Sequence, residues 1–158
     1  MTLHARSTAR GREAMAATPG ASGVLIGDLS SISQTKNLAL EANKLGRFDV
    51  VVHNAGMGYG TDRGLVKVQD AKERQMSMLF AVNSLAPYIL TSLMERPGKL
   101  VYVSSGLHMG GDGSLKDVGW TSGRSWESLQ AYSDSKYASS SSCLILSLNL
   151  LLTFKQAP

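Results

Sequence analysis

The sequence predicts an α/β domain in which a doubly wound parallel sheet carries helices on both faces. Three short apolar runs predict buried strands, at residues 24–26, 48–52 and 100–103. Segments with helical periodicity lie between them, and strands that are apolar on both faces pair in parallel when crossover helices cover them. A chain of 158 residues fits a single domain, which we place over residues 1–158.

Capping residues delimit the first predicted helix. Ser30 or Ser31 can cap its start, because a hydroxyl oxygen accepts a hydrogen bond from an amide of the first turn. Apolar residues then recur at helical spacing as far as Leu45. Gly46 ends the helix, since glycine adopts the left-handed conformation that follows many helix ends.

Two further helices are predicted later in the chain. Apolar residues at helical spacing indicate a long helix from Met76 to Met94. The segment from Ser128 onward is also compatible with a helix. Residues 139–142 are four serines, however, and serine is a poor helix former because its hydroxyl competes for backbone hydrogen bonds.

Composition and charge exclude several classes of protein. With 43% apolar and 18% charged residues, the chain is not a disordered protein. Its one cysteine, Cys143, excludes a disulfide framework and a multi-cysteine zinc site, and favours a reducing, cytoplasmic location. The longest apolar run, residues 143–154, is shorter than the roughly 20 residues of a membrane span. A thinly spread net charge of +4 favours neither nucleic acid nor membrane as a partner.

Tyr132 and Lys136 form the first candidate catalytic pair. They are four residues apart, so on a helix both side chains project from the same face. A neighbouring ammonium favours the phenolate form of a tyrosine, and this suits the pair to acid–base chemistry. The same spacing also arises by chance on many solvated helix surfaces, so other motifs must support the assignment.

Three short motifs precede this pair, and each has a defined position on a predicted element. One follows the second strand, one lies on the long helix and one ends the third strand: Asn54-Ala55-Gly56, Val82-Asn83-Ser84-Leu85-Ala86-Pro87 and Val103-Ser104-Ser105. With Tyr132 and Lys136, this ordered set resembles the short-chain dehydrogenase/reductase family over most of the chain. The resemblance implies a Rossmann-like fold and an oxidoreductase that transfers hydride between NADP(H) and a small carbonyl or alcohol substrate.

The resemblance also implies a role for each of four catalytic residues. Tyr132 would exchange a proton with the substrate oxygen, and Ser105 would hydrogen-bond the same oxygen. Lys136 would hold the nicotinamide ribose hydroxyls and favour the phenolate of Tyr132, so that both residues count among the cofactor contacts. Asn83 would support a water molecule that relays protons.

A backbone feature favours this last role. Pro87 has no N–H, so in a helix the carbonyl four residues earlier, that of Asn83, loses its hydrogen-bond donor. A freed carbonyl beside a kink can hold a water molecule. The alternative is that Asn83 is an ordinary amide on a helix surface.

Other residues match the family's cofactor-binding positions. Asp28 and Leu29 correspond to the position that contacts the adenine ring, although Asp28 is equally well explained as a turn or cap residue. Asn54, Ala55 and Gly56 correspond to the motif beside the cofactor in the central sheet. Gly56 also suits any close approach of two backbone segments.

Arg6 determines the cofactor that we expect. Residues 3–7 resemble the end of the family's second strand, where a basic side chain suits the 2′-phosphate of NADP because arginine makes charge-assisted, bidentate contacts to phosphate. An acidic residue there would have favoured NAD. Two alternatives remain: Arg6 is a solvated surface residue, or residues 1–17 are an arginine-containing leader for a mitochondrion or plastid.

The segment before Tyr132 is longer than in compact family members. Twenty-six residues separate it from Ser105, and they include Trp120 and Trp126. Within this segment His108 either lines the substrate pocket or is a loop residue.

The sequence departs from the family at both ends. The resemblance places a first strand with a glycine-rich phosphate loop before residues 3–6, and further strands after Lys136, so we expect truncation at both ends and weakened nucleotide binding. The alternative function is that of a catalytically silent homologue that associates with a partner or with itself. Exposed strand edges and the apolar residues 143–154 would then provide the contact.

Overall fold

The computed structural model describes the backbone of residues 1–60, 65–67 and 75–154, and the side chains of residues 1–60 and 76–143. Strands and helices alternate through most of this part of the chain. In chain order the elements are β1 (Thr2–Ala5), α1 (Thr8–Ala17), β2 (Gly23–Ile26), α2 (Ile32–Asn43), β3 (Val50–His53), β4 (Leu65–Lys67), β5 (Gln75–Ser77), α3 (Met78–Phe80), α4 (Ala86–Leu93), β6 (Lys99–Tyr102) and α5 (Ser128–Phe154). A π-helical turn (Ala81–Leu85) joins α3 to α4, and a 3₁₀ helix (Gly106–Gly110) follows β6.

The described strands form three separate pairs. β1 pairs in parallel with β2, with Thr2 opposite Gly23, and β3 pairs in parallel with β6, with Val50 opposite Lys99. β4 and β5 form an antiparallel pair. The predicted parallel α/β architecture is therefore confirmed, with the sheet divided between β1 and β3.

Helices cover both faces of the β1–β2 pair. α1 lies against one face, where a Cβ atom on Gly11 would be 2.8 Å from the Cδ1 atom of Ile26. On the other face Leu25 packs against a buried cluster contributed mainly by α2 and α4: Leu29, Leu38, Ala39, Ala86 and Leu90. Because β1 and α1 belong to this packed unit, residues 2–17 are part of the folded domain.

The β3–β6 pair corrects one prediction. We expected strands that are buried on both faces, but Val50 and Val52 of β3 are 48% and 53% exposed. The opposite face is covered, since His53 is hydrogen-bonded to Thr91 of α4 at 3.0 Å. One face of this pair is thus packed and the other is largely open.

Helix boundaries follow the local caps. Ser31 caps α2, and its side chain accepts a hydrogen bond from the Gln34 amide. Gly46 has φ = +83°, the conformation that favours glycine after a helix. Leu45 lies beyond α2 and is 58% exposed, so it does not belong to the apolar face that we predicted.

Met76 was predicted to begin the long helix, and this is wrong. It belongs to β5, and Ser77 caps the helical segment by accepting a hydrogen bond from the Phe80 amide. The helical residues 78–93 then continue through the π-helical turn. The serines at 139–142 lie inside α5, because tertiary packing outweighs their low helix propensity.

No helix in the described part of the chain combines the length and apolar character needed to cross a membrane. Among the same residues, no group of three or more His, Cys, Asp or Glu side chains is placed to hold a metal ion. The side chains of residues 144–154 lie outside the described set, so an apolar contact surface there stays a prediction.

Candidate active site

The buried Lys136 ammonium connects α5 to the end of β6. Lys136 is 7% exposed, and its Nζ donates a hydrogen bond to the Val103 carbonyl at 3.2 Å. The same Nζ lies 5.9 Å from the centroid of the Tyr132 ring, at the outer limit of a cation–π contact. The helical spacing of Tyr132 and Lys136 therefore brings a phenol and a cation together in one buried corner.

Asn83 joins two segments that meet at this corner. Its Oδ1 accepts a hydrogen bond from the Met57 amide at 2.8 Å, and its Nδ2 donates to the Met57 carbonyl at 3.1 Å. Nδ2 also donates to Ser135 Oγ at 3.0 Å. The carboxamide is 3% exposed and holds the loop after β3 against α5, so it is not an ordinary surface amide.

The backbone at Asn83 is irregular. It lies in the π-helical turn, directly before α4, where Pro87 has no N–H to donate to the Asn83 carbonyl. Single π turns of this kind are frequent at functional sites. The kink that we predicted from Pro87 takes the form of this turn.

Gly56 packs against both Asn83 and Lys136. A Cβ atom at this position would lie 3.2 Å from Asn83 Oδ1 and 3.5 Å from Lys136 Nζ. The close approach explains a glycine here without any ligand, and it places the end of the Asn54-Ala55-Gly56 motif beside two of the predicted catalytic residues. Asn54 and Ala55 are exposed and line the cleft next to β3.

Ser105 lies two residues beyond Val103, at the start of the 3₁₀ helix. Its Oγ accepts a hydrogen bond from the Leu107 amide at 3.2 Å. Its carbonyl accepts a second one from the His108 amide at 3.0 Å, and His108 Nδ1 contacts the same carbonyl. His108 is thus tied to the turn that presents Ser105.

Aromatic and sulfur-containing side chains surround Tyr132. Its ring centroid is 5.5 Å from that of Tyr59. Tyr132 packs with Met57 and Trp126 against a buried cluster of Leu79, Trp120 and Ala131. A substrate that approaches the phenol would meet an apolar and aromatic wall.

Sequence reasoning missed the residues that fasten the segment before Tyr132 to α5. The Asp134 carboxylate is 2.8 Å from Arg124 Nη2 and accepts further hydrogen bonds from Gln130 Nε2 and the Asp112 amide. The Arg124 guanidinium also lies 3.5 Å from the centroid of the Trp120 ring. The sequence signal for this contact was Asp134, a charged residue between Tyr132 and Lys136. No regular spacing connects Asp134 to Arg124, so the ion pair could not be predicted.

The residues predicted to bind the adenosine half lie at the carboxyl ends of β1 and β2. The Gly27 amide donates to the Ala5 carbonyl at 3.0 Å and so holds the two ends together. Arg6 is exposed there. Asp28 accepts hydrogen bonds from Ser30 N and Oγ at 2.9 and 2.7 Å, which is the turn role that we left open. Leu29 packs in the α2–α4 core.

A family model described as short chain dehydrogenase matches residues 2–116. The chain belongs to the short-chain dehydrogenase family. The chain is 53% identical over 119 residues to an uncharacterized oxidoreductase of Emericella nidulans, a stretch that covers 75% of this chain and 45% of that protein. It is 42% identical over 141 residues to a short-chain dehydrogenase of Penicillium rubens, with 85% of this chain and 50% of that protein covered.

A solved structure shares the fold of this chain. A crystal structure of an uncharacterized protein from Mycobacterium paratuberculosis superposes on this chain with a TM-score of 0.69 and 28% identity, over 99% of this chain and 55% of that one. The family resemblance read from the ordered motifs is confirmed. The chain spans about half the length of the curated relatives that it matches.

Proposed function

We propose that this dehydrogenase transfers hydride between NADP(H) and the carbonyl or alcohol group of a small molecule. The observation that supports the proposal most strongly is the buried ammonium of Lys136 beside the Tyr132 ring. Burial of a cation is costly unless it is paired, and the described residues supply one carbonyl acceptor to this one. A functional site can retain a buried cation despite this free-energy cost, because the cation serves chemistry at the neighbouring phenol.

The surroundings of Lys136 suit the ribose of a nicotinamide cofactor. An ammonium has three N–H donors, and Val103 takes one of them among the described residues, so two can bind a pair of vicinal hydroxyls. Gly56 contributes no side chain to the space beside the ammonium. When bound, a nicotinamide cofactor supplies hydride to the substrate carbon, or accepts it in the oxidising direction.

The remaining chemistry belongs to the residues of this chain. In the reducing direction, Tyr132 gives its phenolic proton to the substrate oxygen as the carbon gains hydride, so that a carbonyl becomes an alcohol. Ser105 donates a hydrogen bond to the same oxygen. The Asn83 carboxamide holds the loop at Met57. The backbone carbonyl of Asn83 binds the water molecule that returns a proton to the site.

The preference for NADP over NAD is assigned to Arg6. Its guanidinium is exposed at the carboxyl end of β1. Ligands of parallel sheets bind beyond the carboxyl ends of the strands. Asp28 follows the carboxyl end of β2, which lies beside the carboxyl end of β1.

The experiment that tests this function is NADPH oxidation with a panel of aldehydes and ketones. The chain should turn over at least one aldehyde or ketone, and Tyr132→Phe should reduce the rate to background because its ring has no proton to give. Tyr137→Phe is the matched control, since Tyr137 is also partly buried on α5. Background rates in all three proteins, together with no NADPH binding in a titration, would favour the catalytically silent homologue instead.

A further inference from the structure

Tyr59 lies beside the ring of Tyr132 and is still accessible from outside. The two ring centroids are 5.5 Å apart, and the ring planes are inclined by 54°. Tyr59 is 52% exposed. An aromatic ring that is half exposed next to the proton donor of the site can contact any molecule that reaches this donor.

Hydrogen bonds fix the loop on both sides of Tyr59. Two residues before it, the amide and carbonyl of Met57 are bonded to the Asn83 carboxamide at 2.8 and 3.1 Å. One residue after it, the Gly60 amide donates to Ser128 Oγ at 3.0 Å. Gly60 has φ = +89°, a left-handed conformation that glycine adopts readily. The backbone that carries Tyr59 is therefore already in place before a ligand arrives, which reduces the entropy lost on binding.

The other side chains around Tyr132 are aromatic or contain sulfur. Met57 and Trp126 are partly buried, and they pack with Tyr132 against the buried cluster that contains Trp120. The rings of Trp126 and Trp120 meet edge to face, with 5.2 Å between their centroids. Aromatic rings favour such arrangements, and a methionine sulfur also contacts ring edges favourably. These surroundings suit a flat, unsaturated group better than a strongly hydrated one.

Trp120 has a strained backbone that its own segment fixes. Its φ is +57°, a left-handed value that is unusual for a bulky side chain. The Trp120 amide donates to the Asp117 carbonyl at 2.9 Å. The Asp117 carboxylate accepts hydrogen bonds from the amides of Thr121 and Ser122 at 2.7 and 3.1 Å. Strain of this kind persists where surrounding contacts determine it, and it is concentrated at functional sites.

A substrate with an anionic substituent fits this site less well. The ammonium of Lys136 is assigned to the cofactor in the proposed function. The guanidinium of Arg124 is paired with two carboxylates, those of Asp117 at 3.1 Å and Asp134 at 2.8 Å. A carboxylate or phosphate buried beside the phenol without a cation of its own would be costly.

We infer that Tyr59 is a specificity-determining residue, and that the site takes aromatic aldehydes and ketones whose carbonyl is bonded directly to the ring. This inference rests on the proposed function. The substrate ring packs against Tyr59 and Met57 while the carbonyl oxygen meets the hydroxyl of Tyr132. The carbonyl carbon gains hydride from NADPH and the oxygen gains the Tyr132 proton, so that an aryl carbinol and NADP⁺ form.

The test compares benzaldehyde with cyclohexanecarbaldehyde, which has the same carbon skeleton but no aromatic ring. The kcat/KM for benzaldehyde is divided by that for cyclohexanecarbaldehyde in each protein, so that the intrinsic reactivities cancel between variants. Tyr59→Leu should lower this ratio by about three- to tenfold, because one aromatic contact is lost. Tyr59→Phe keeps the ring and should retain the ratio. Tyr88→Leu, which removes an exposed tyrosine of α4, is the matched control.

A second measurement does not depend on turnover. Benzamide, an aryl carbonyl compound that is not reduced by NADPH, is titrated into the chain with and without NADP⁺ and followed by NMR. Its ring protons should show nuclear Overhauser effects to the ring of Tyr59. Tyr59→Leu should weaken benzamide binding by about three- to tenfold.

The possible results separate this inference from the proposed function. Turnover of both aldehydes with an unchanged ratio in Tyr59→Leu would overturn the inference and leave the proposed function standing. An equal fall of the ratio in Tyr59→Phe or Tyr88→Leu would also overturn it, because the ring at position 59 would not be the cause. No turnover of either aldehyde would count against the proposed function. The benzamide titration would then decide the inference alone, and benzamide that does not contact Tyr59 would overturn it.

Discussion

The Asp134 carboxylate is 1% exposed and lies 2.8 Å from Nη2 of Arg124. Asp134 is on α5, midway between Tyr132 and Lys136, whereas Arg124 belongs to the preceding segment and stacks on Trp120. This ion pair fastens the segment before α5 to the helix itself.

Arg124→Ala should reduce the free energy of unfolding by about 3 kcal/mol, because it leaves a buried carboxylate without its cation. Urea unfolding measures this loss. Arg10→Ala is the control, since the Arg10–Glu13 pair is exposed on α1 and its removal should cost less than about 1 kcal/mol. Equal losses in the two variants would contradict the role assigned to Arg124.

His53 should make the fold sensitive to acid. Burial lowers its pKa from 6.5 to about 4, whereas the unfolded chain keeps the ordinary value. Between these pH values the unfolded state binds more protons, so stability is complete above about pH 6.5 and falls by up to about 3 kcal/mol towards pH 4.

The measurement is the free energy of unfolding as a function of pH. His53→Gln should flatten the decrease between pH 6.5 and 4. An unchanged slope in His53→Gln would mean that other groups cause the acid sensitivity.

Gly56→Ala should impair the site more than the fold. The new Cβ would lie 3.2 Å from Asn83 Oδ1, so the carboxamide must shift by a few tenths of an ångström, and it would be in van der Waals contact with Lys136 Nζ at 3.5 Å. We expect the kcat/KM of NADPH oxidation to fall by about tenfold, because catalytic groups tolerate little displacement. Gly58→Ala is the control, as no atom lies within 4 Å of its added Cβ, and equal activities would argue against tight packing at Gly56.

Arg6→Ala tests the cofactor preference. Charge-assisted hydrogen bonds to a phosphate contribute about 1.5–3 kcal/mol each, so NADPH affinity should fall by roughly ten- to a hundred-fold while NADH affinity stays nearly constant. Paired titrations of the two cofactors measure this, with the exposed Arg12→Ala as control. A parallel loss of both affinities would assign Arg6 to the fold, and no loss would make it a surface arginine.

Features that depend on local sequence could be predicted. The helix α2 was predicted from its Ser31 cap, the helical spacing of its apolar residues and the glycine at position 46. All three signals are local, because each depends on residues close together in the sequence. β2 was likewise predicted from a short apolar run. The predicted proximity of Tyr132 and Lys136 also follows from helix geometry alone.

Features that depend on distant contacts could not be predicted. Asn83 is buried because it bridges Met57 and Ser135, 26 residues before it and 52 after it. The serines of α5 look unfavourable by propensity, but small side chains such as Ser135, which is fully buried, permit close packing. The exposure of Val50 and Val52 depends on which strands and helices are neighbours, and an apolar run does not specify this.

Deuterium transfer from NADPH labelled at the reactive carbon of its nicotinamide tests the central claim most directly. The chain is incubated with labelled NADPH and a reactive aldehyde, and mass spectrometry measures deuterium in the alcohol product. The account predicts one deuterium per product molecule with the chain and with Tyr137→Phe, and almost no labelled product with Tyr132→Phe. Labelled alcohol formed equally well by Tyr132→Phe, or by none of the three proteins above the protein-free control, would contradict it.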